Sequence, residues 1–127
     1  MINPQFDSIG KQFVGHYYKT FDSDRAQLGA LYASNSMLTF ENEQFQGAEA
    51  IQKKLTSLPF NQVQHQIVTT DCQPNPSNNG VLVLVTGTLI VDGGATPLKY
   101  AQSFHIVPSP GNTGYFCLND MFRLNYG

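Results

Sequence analysis

Charge is scarce in this chain. Asp, Glu, Lys and Arg make up 13% of its residues, against about a quarter in an ordinary soluble protein. Uncharged Gln, Asn, Ser and Thr fill the gap, so the surface is polar rather than charged. A formal net charge of -2 supplies no basic field, which argues against nucleic acid and anionic membrane as partners. No apolar run approaches the ~20 residues of a membrane span, so no membrane insertion is expected. The N-terminal "MINPQFDSIGKQF" lacks the succession of basic, apolar and small residues that marks a signal peptide. Cysteine occurs only at Cys72 and Cys117, far apart and without metal-ligand spacing. Reduced, half-buried thiols of a cytosolic or nuclear protein are the expectation.

Signatures of cofactor chemistry are missing as well. There is no GxxxxGK(S/T) or GxGxxG phosphate loop, and no HExxH, CxxC or HxH spacing. Neither a cofactor nor a metal is expected. With 127 residues the chain has the size of one domain, residues 1–127, large enough to bury a core without staples.

The hydrophobic pattern that is present changes period along the chain. Phe6, Ile9, Phe13, Tyr17 and Phe21 recur at steps of three and four, predicting a helix over 4–21 with Pro4 in its first turn. After a break at Asp22–Asp24, two cap-type residues, a short second helix carries Leu28 and Leu31 inward. "SMLTFE" reads as a strand, and "QFQG" as the turn out of it. "GAEAIQKKLTSLPF" places Ala50, Ile51, Leu55 and Leu58 on one face of a third helix stopped by Pro59. Beyond Pro59 the period becomes two. "NQVQHQIVTTDC" alternates with Val63, His65, Ile67, Thr69 and Asp71 on one side, and "VLVLVTGTLIV", apolar on both faces, reads as a central strand. "YAQSFHIV" and "YFCLNDMFRLNY" follow, separated by "QPNPSNNG", "DGG" and "PSPGNTG" turns. The order predicts an α+β domain, with three helices on one side of a curved antiparallel sheet.

Candidate acid–base groups are few. A lone His on a strand is more often a packed, hydrogen-bonded residue than a catalyst. His65 stands out from His16 and His105 because its alternation with Val63 and Ile67 turns it to an apolar face, where a neighbouring carboxylate would govern its charge. Tyr17, Tyr18, Asp71, Asp120 and His65 are of the types that proton transfer requires, but no spacing selects them. Asp120, beside Arg123, reads as part of an ordinary polar network. In "MLTFENEQFQG" Phe40 and Phe45 fall within a few positions of Glu41 and Glu43. A catalytic pocket, a socket for a partner's side chain, and a strand running out into solvent are all open readings of it.

"FVGHYYKTFDSDRAQLGALY", "MLTFENEQFQG", "LTSLPFNQVQH" and "NDMFRLNY" together resemble nuclear transport factor two, with fungal members most alike, from Phe6 to Tyr126. The resemblance implies a cone-shaped fold, in which a strongly bent antiparallel sheet wraps around three helices and leaves an apolar cavity. It implies a non-enzymatic carrier that binds the GTPase Ran in its GDP form and the FxFG repeats of nucleoporins. Such a carrier is a homodimer packed through the outer sheet faces, and it moves among cytoplasm, nuclear pore complex and nucleus. On this resemblance the Ran-binding residues are Phe40, Glu41, His65 and Asp92. Leu58, Val63, Leu89, Met121 and Phe122 would line the cavity, and Phe6 would serve the FxFG repeats. One position departs from the family pattern: a second rim acid expected two residues after Asp92 is Gly94. Glu43 is left with no role beyond solvation, and Phe45 with packing. The competing reading is an enzyme on the same scaffold, of the ketosteroid isomerase or dehydratase kind, with acid–base residues inside the cavity.

Overall fold

In the computed structural model, which describes residues 4–112 and 114–125, the apolar stripe of the N-terminal segment becomes helix α1 (Phe6–Ser23). Pro4 and Gln5 form a turn ahead of it rather than its first helical turn. Phe13, Val14, Tyr17, Tyr18 and Phe21 are buried along one side. The break that follows is capped by Asp24, whose carboxylate accepts the Ala26 N–H at 3.2 Å and starts a 3-10 helix (Arg25–Leu31). Asp22 caps nothing. It lies within α1 and is used elsewhere.

Strand β1 (Tyr32–Phe40) turns back into a short β2 (Glu43–Gln46), so the segment expected to be a turn is itself paired. Gly47, at φ 91°, is a conformation that glycine adopts without steric cost, and it leads into α2 (Ala48–Thr56). The long strands β3 (Val63–Asn75), β4 (Gly80–Val91), β5 (Leu98–Pro108) and β6 (Tyr115–Leu124) follow. Tyr126, within the segment expected to be the last strand, lies outside the described residues.

The six strands form one sheet in the order β2-β1-β6-β5-β4-β3. It is mixed rather than wholly antiparallel: β6 inserts beside β1 and runs parallel to it, with Phe40 opposite Phe122. All other pairs are antiparallel. Register shifts interrupt β3 between Ile67 and Thr69 and β5–β6 at His105–Ile106, and such bulges sharpen a sheet's bend. The first of them also corrects the expected alternation. Val63 and His65 face inward, but past the bulge the inward set switches to Thr70 and Cys72, leaving Asp71 outside and Val68 66% exposed.

Helix α1 packs across β3 and β4, while α2 lies on β1 and the 3-10 helix. Buried Leu28, Leu38, Ile51, Leu55, Val83, Val85, Phe104 and Ile106 fill the space between. Cys117 is fully buried, whereas Cys72 is half-buried against α1. The outer sheet face is different: Leu82, Leu84 and Met121 are 42%, 48% and 55% exposed. The apolar second face of β4 is therefore left uncovered by the described residues.

Candidate functional site at the mouth of the sheet

Inward side chains at one end of the curved sheet do not meet the helices completely, and a cavity of about 310 Å³ remains. Its walls follow from register. Phe40 on β1 and Phe122 on β6 are direct neighbours, and their rings stack at 4.7 Å with an interplanar angle of 12°. Leu55 and Leu58 close the cavity from α2 and the segment after it, Val63 and Leu89 from β3 and β4, and Tyr17 and Phe21 from α1. Leu58, Val63, Leu89 and Phe122, expected as cavity-lining residues, all line this cavity. Met121 does not. The pleat that turns Phe122 inward turns its neighbour outward, onto the outer face beside Met37 and Ser103.

Two acids beside these walls are pinned by main chain. Glu41, the residue after β1, lies in the left-handed region, φ 62°. Its N–H donates to the Phe122 carbonyl at 2.9 Å, and its carboxylate accepts the Leu124 N–H. Asp92, at φ 50°, accepts the N–H groups of both Asn61 and Gln62 at 2.9 Å through one oxygen. Each acid keeps its second oxygen uncommitted among the described contacts, and Asp92 lines the cavity. Gly94 is exposed, its N–H donating to Val91 O; no second acid stands there.

His65 is the inner wall. Its Nδ1 lies 2.6 Å from Asp22 Oδ1, and its backbone N–H donates to Asp22 Oδ2 at 2.9 Å. A carboxylate only accepts, so Nδ1 carries the hydrogen. The ring packs on Tyr18 and Phe21 at 4.7 and 4.9 Å. Asp22 is 43 positions away from His65 and carried no signal in the sequence beyond its cap-like composition. Glu43, assigned only solvation, pairs with Lys54 at 2.8 Å. That ammonium sits 5.4 Å from the Phe40 ring centre, so Glu43 offsets a positive charge beside the aromatic wall. Phe6 opens α1, half-buried against the core. On the same helix Ile9, Gln12 and Phe13 form a shallow groove with Tyr115.

Asp120 is the buried acid, 1% exposed. Its carboxylate accepts from Tyr32 Oη at 2.7 Å, Tyr17 Oη at 3.3 Å and Gln102 Nε2 at 2.8 Å. Gln102 in turn accepts from Tyr18 Oη at 2.6 Å. Burial pushes Asp120 up to about 6, while its three donors oppose the rise. Burial, and then the charge of Asp120, push both Tyr17 and Tyr32 well above the usual phenol range. Tyr17 and Gln102 line the cavity and Asp120 does not. The one acid deep in the fold is therefore screened from the cavity by its own hydrogen-bond donors, a poor placement for a group that must exchange protons with a substrate. Among the described residues no cluster of His, Cys, Asp and Glu could hold a metal ion.

A family model described as the nuclear transport factor 2 (NTF2) domain matches residues 9–124. Nuclear transport factor 2 of Emericella nidulans is 54% identical over 121 residues, covering 95% of this chain and 96% of its own length. That of Candida glabrata is 51% identical over 125 residues, covering 98% of both chains. The solved structure of nuclear transport factor 2 from Cryptosporidium parvum superposes with a TM-score of 0.93 at 53% identity, covering 98% of both chains. A putative scytalone dehydratase from Novosphingobium aromaticivorans superposes at 0.77 over 94% of this chain and 83% of its own with only 14% identity, a likeness of fold alone.

Proposed function

Because this chain belongs to the nuclear transport factor 2 family, a family of transport factors and not of enzymes, we propose that it is the carrier that returns the GTPase Ran, in its GDP form, to the nucleus. The observation that carries this reading is the pairing of a 310 Å³ aromatic-walled cavity with two carboxylates held by main chain, Asp92 in its lining and Glu41 bonded to the wall residues Phe122 and Leu124. A phenylalanine of Ran would enter between Phe40, Phe122 and His65. Burying one ring is worth roughly 2–3 kcal/mol by area, enough for a weak complex. The rim acids add orientation, association rate and partner choice. Pinning them by main-chain N–H groups removes the entropy that free side chains would lose on binding. Gly94 leaves the rim with less charge than the family pattern expects, so Glu41 carries a larger share of it.

Phe6 and the groove beside it would hold FxFG repeats of nucleoporins. The uncovered outer face, with Leu82, Leu84 and Met121, would pack against a second copy. A dimer presents two weak sites at once, which suits a carrier that must bind and release repeatedly in the pore between cytoplasm and nucleus.

The test is capture from cell extract with GDP or a non-hydrolysable GTP analogue added. The wild-type chain should retain Ran with GDP only. Glu41→Gln keeps an acceptor for Leu124 N–H and removes the charge, so capture should weaken several-fold; Glu41→Lys should abolish it with the oligomeric state intact. Undiminished capture by Glu41→Lys would overturn the rim assignment.

A further inference from the structure

The cavity's outer edge is formed by the segment Leu58–Gln62, between α2 and β3, and it is suspended from two opposite charges. On one side Arg25, from the 3-10 helix, donates Nη1–H to Leu55 O at 3.1 Å and Nη2–H to Phe60 O at 2.6 Å. Its guanidinium also lies 4.7 Å from the centre of the Phe60 ring. On the other side Asp92 accepts the N–H groups of Asn61 and Gln62, and its own N–H donates to Gln62 O at 2.8 Å. Between these anchors Phe60 N–H donates to Leu58 O at 2.8 Å, and Pro59 holds a fixed φ. Leu58, Pro59 and Phe60 all line the cavity.

A connection with no regular secondary structure has little to hold it unless side chains satisfy its main-chain groups. Here a bidentate cation ties the Phe60 carbonyl of the connection to the Leu55 carbonyl of α2, and an anion takes two amides. The planar guanidinium fork suits two carbonyls and a ring face at once, where an ammonium would serve one.

We propose that Arg25 is a positioning residue: with Asp92 it holds Leu58–Gln62 as a fixed lip, so that the cavity mouth is already shaped before a partner's aromatic ring arrives. Partner capture then depends on a residue outside the cavity lining. Asp92 has two roles, one oxygen securing the lip and the other facing the partner. The consequence for capture rests on the Ran-GDP reading above; the lip itself does not.

The experiment pairs amide hydrogen exchange with binding kinetics on the full chain, using Arg25→Ala and Arg25→Lys. In Arg25→Ala the Asn61 and Gln62 amides, which bond to Asp92 and not to Arg25, should exchange at least tenfold faster, with protection along α1 unchanged. Dissociation of Ran-GDP should speed up at least tenfold while binding of an FxFG peptide is unaltered. Arg25→Lys, able to reach one carbonyl, should fall between. Unchanged exchange at Asn61 and Gln62 overturns the lip, and so does loss of protection throughout α1 in both variants, which would make Arg25 a folding residue. Unchanged Ran-GDP dissociation beside accelerated exchange overturns its role in capture. A wild-type chain that never retains Ran-GDP overturns the functional reading, and the exchange pattern still decides the lip.

Discussion

Asp120 shows how one residue can be legible as a type and illegible as a role. Its place in "LNDMFRLNY" suggested a polar network near Arg123, yet its partners are Tyr17, Tyr32 and Gln102, drawn from a helix, β1 and β5. Three donors satisfy the carboxylate without repaying its full desolvation, so its folded pKa rises to about 6. For an acid with a raised folded value the ionised form is the less stable one in the fold. Its stabilising contribution is therefore complete below the ordinary carboxylate value of about 4 and declines as pH rises to about 6. The decline should approach 3 kcal/mol, at about 1.4 kcal/mol per unit. Asp120→Asn keeps an oxygen for Gln102, and the tyrosine hydroxyls can rotate to accept its amide. Denaturant melts from pH 4 to 7 should therefore show a flatter profile for Asp120→Asn than for wild type. Parallel profiles would mean that Asp120 does not titrate in that range.

At the scale of elements, periodicity located the helices and the long strands because each must bury one face. It failed where that face switches. The bulge in β3 lets Val68 escape the ladder between Ile67, opposite Gly87, and Thr69, opposite Thr86, which reverses the expected side of Asp71. Gly87 makes this possible: a Cβ there would drive into the carbonyl oxygen of Gln66. Backbone, unlike the end of a long side chain, cannot move aside cheaply. Gly87→Ala should accordingly destabilise by about 2–3 kcal/mol, as overpacked cores do, read as a lower urea midpoint. A midpoint equal to wild type would show that the two strands are not so closely held. The turn at Asp92 was visible as "DGG", but not its hold on Asn61 and Gln62, because nothing local links residues thirty positions apart.

At the scale of the whole molecule the outer sheet face is the conspicuous unspent surface. Register aligns Leu84, Ser103, Met121 and Thr39 in one row across four strands, and the two large apolar members are about half exposed. Contiguous apolar surface of this kind marks an interface more often than it marks solvent. If a second copy covers it, Leu84→Glu or Met121→Glu should shift sedimentation from dimer to monomer at micromolar concentration. The cavity lies on the opposite face, so the monomer should remain folded. Sedimentation unchanged by both variants would show that no second copy packs on this face. Met121 had been assigned to the cavity because core packing and cavity lining look alike in a strand pattern; the bulge after Cys117 sets which neighbour points inward.

The sequence by itself determined the α+β class, the order of most elements and the family. These depend on composition, on local periodicity and on motifs that survive as strings. Only the tertiary structure decided the parallel pairing of β6 with β1, the side of the sheet on which Met121 lies, and the partners of Asp22, Arg25, Glu43 and Asp120. Those outcomes come from closure of the chain on itself. Pairing direction, bulge position and long-range hydrogen bonds are selected by which packing satisfies every buried donor and acceptor together, and no short window of residues contains that sum.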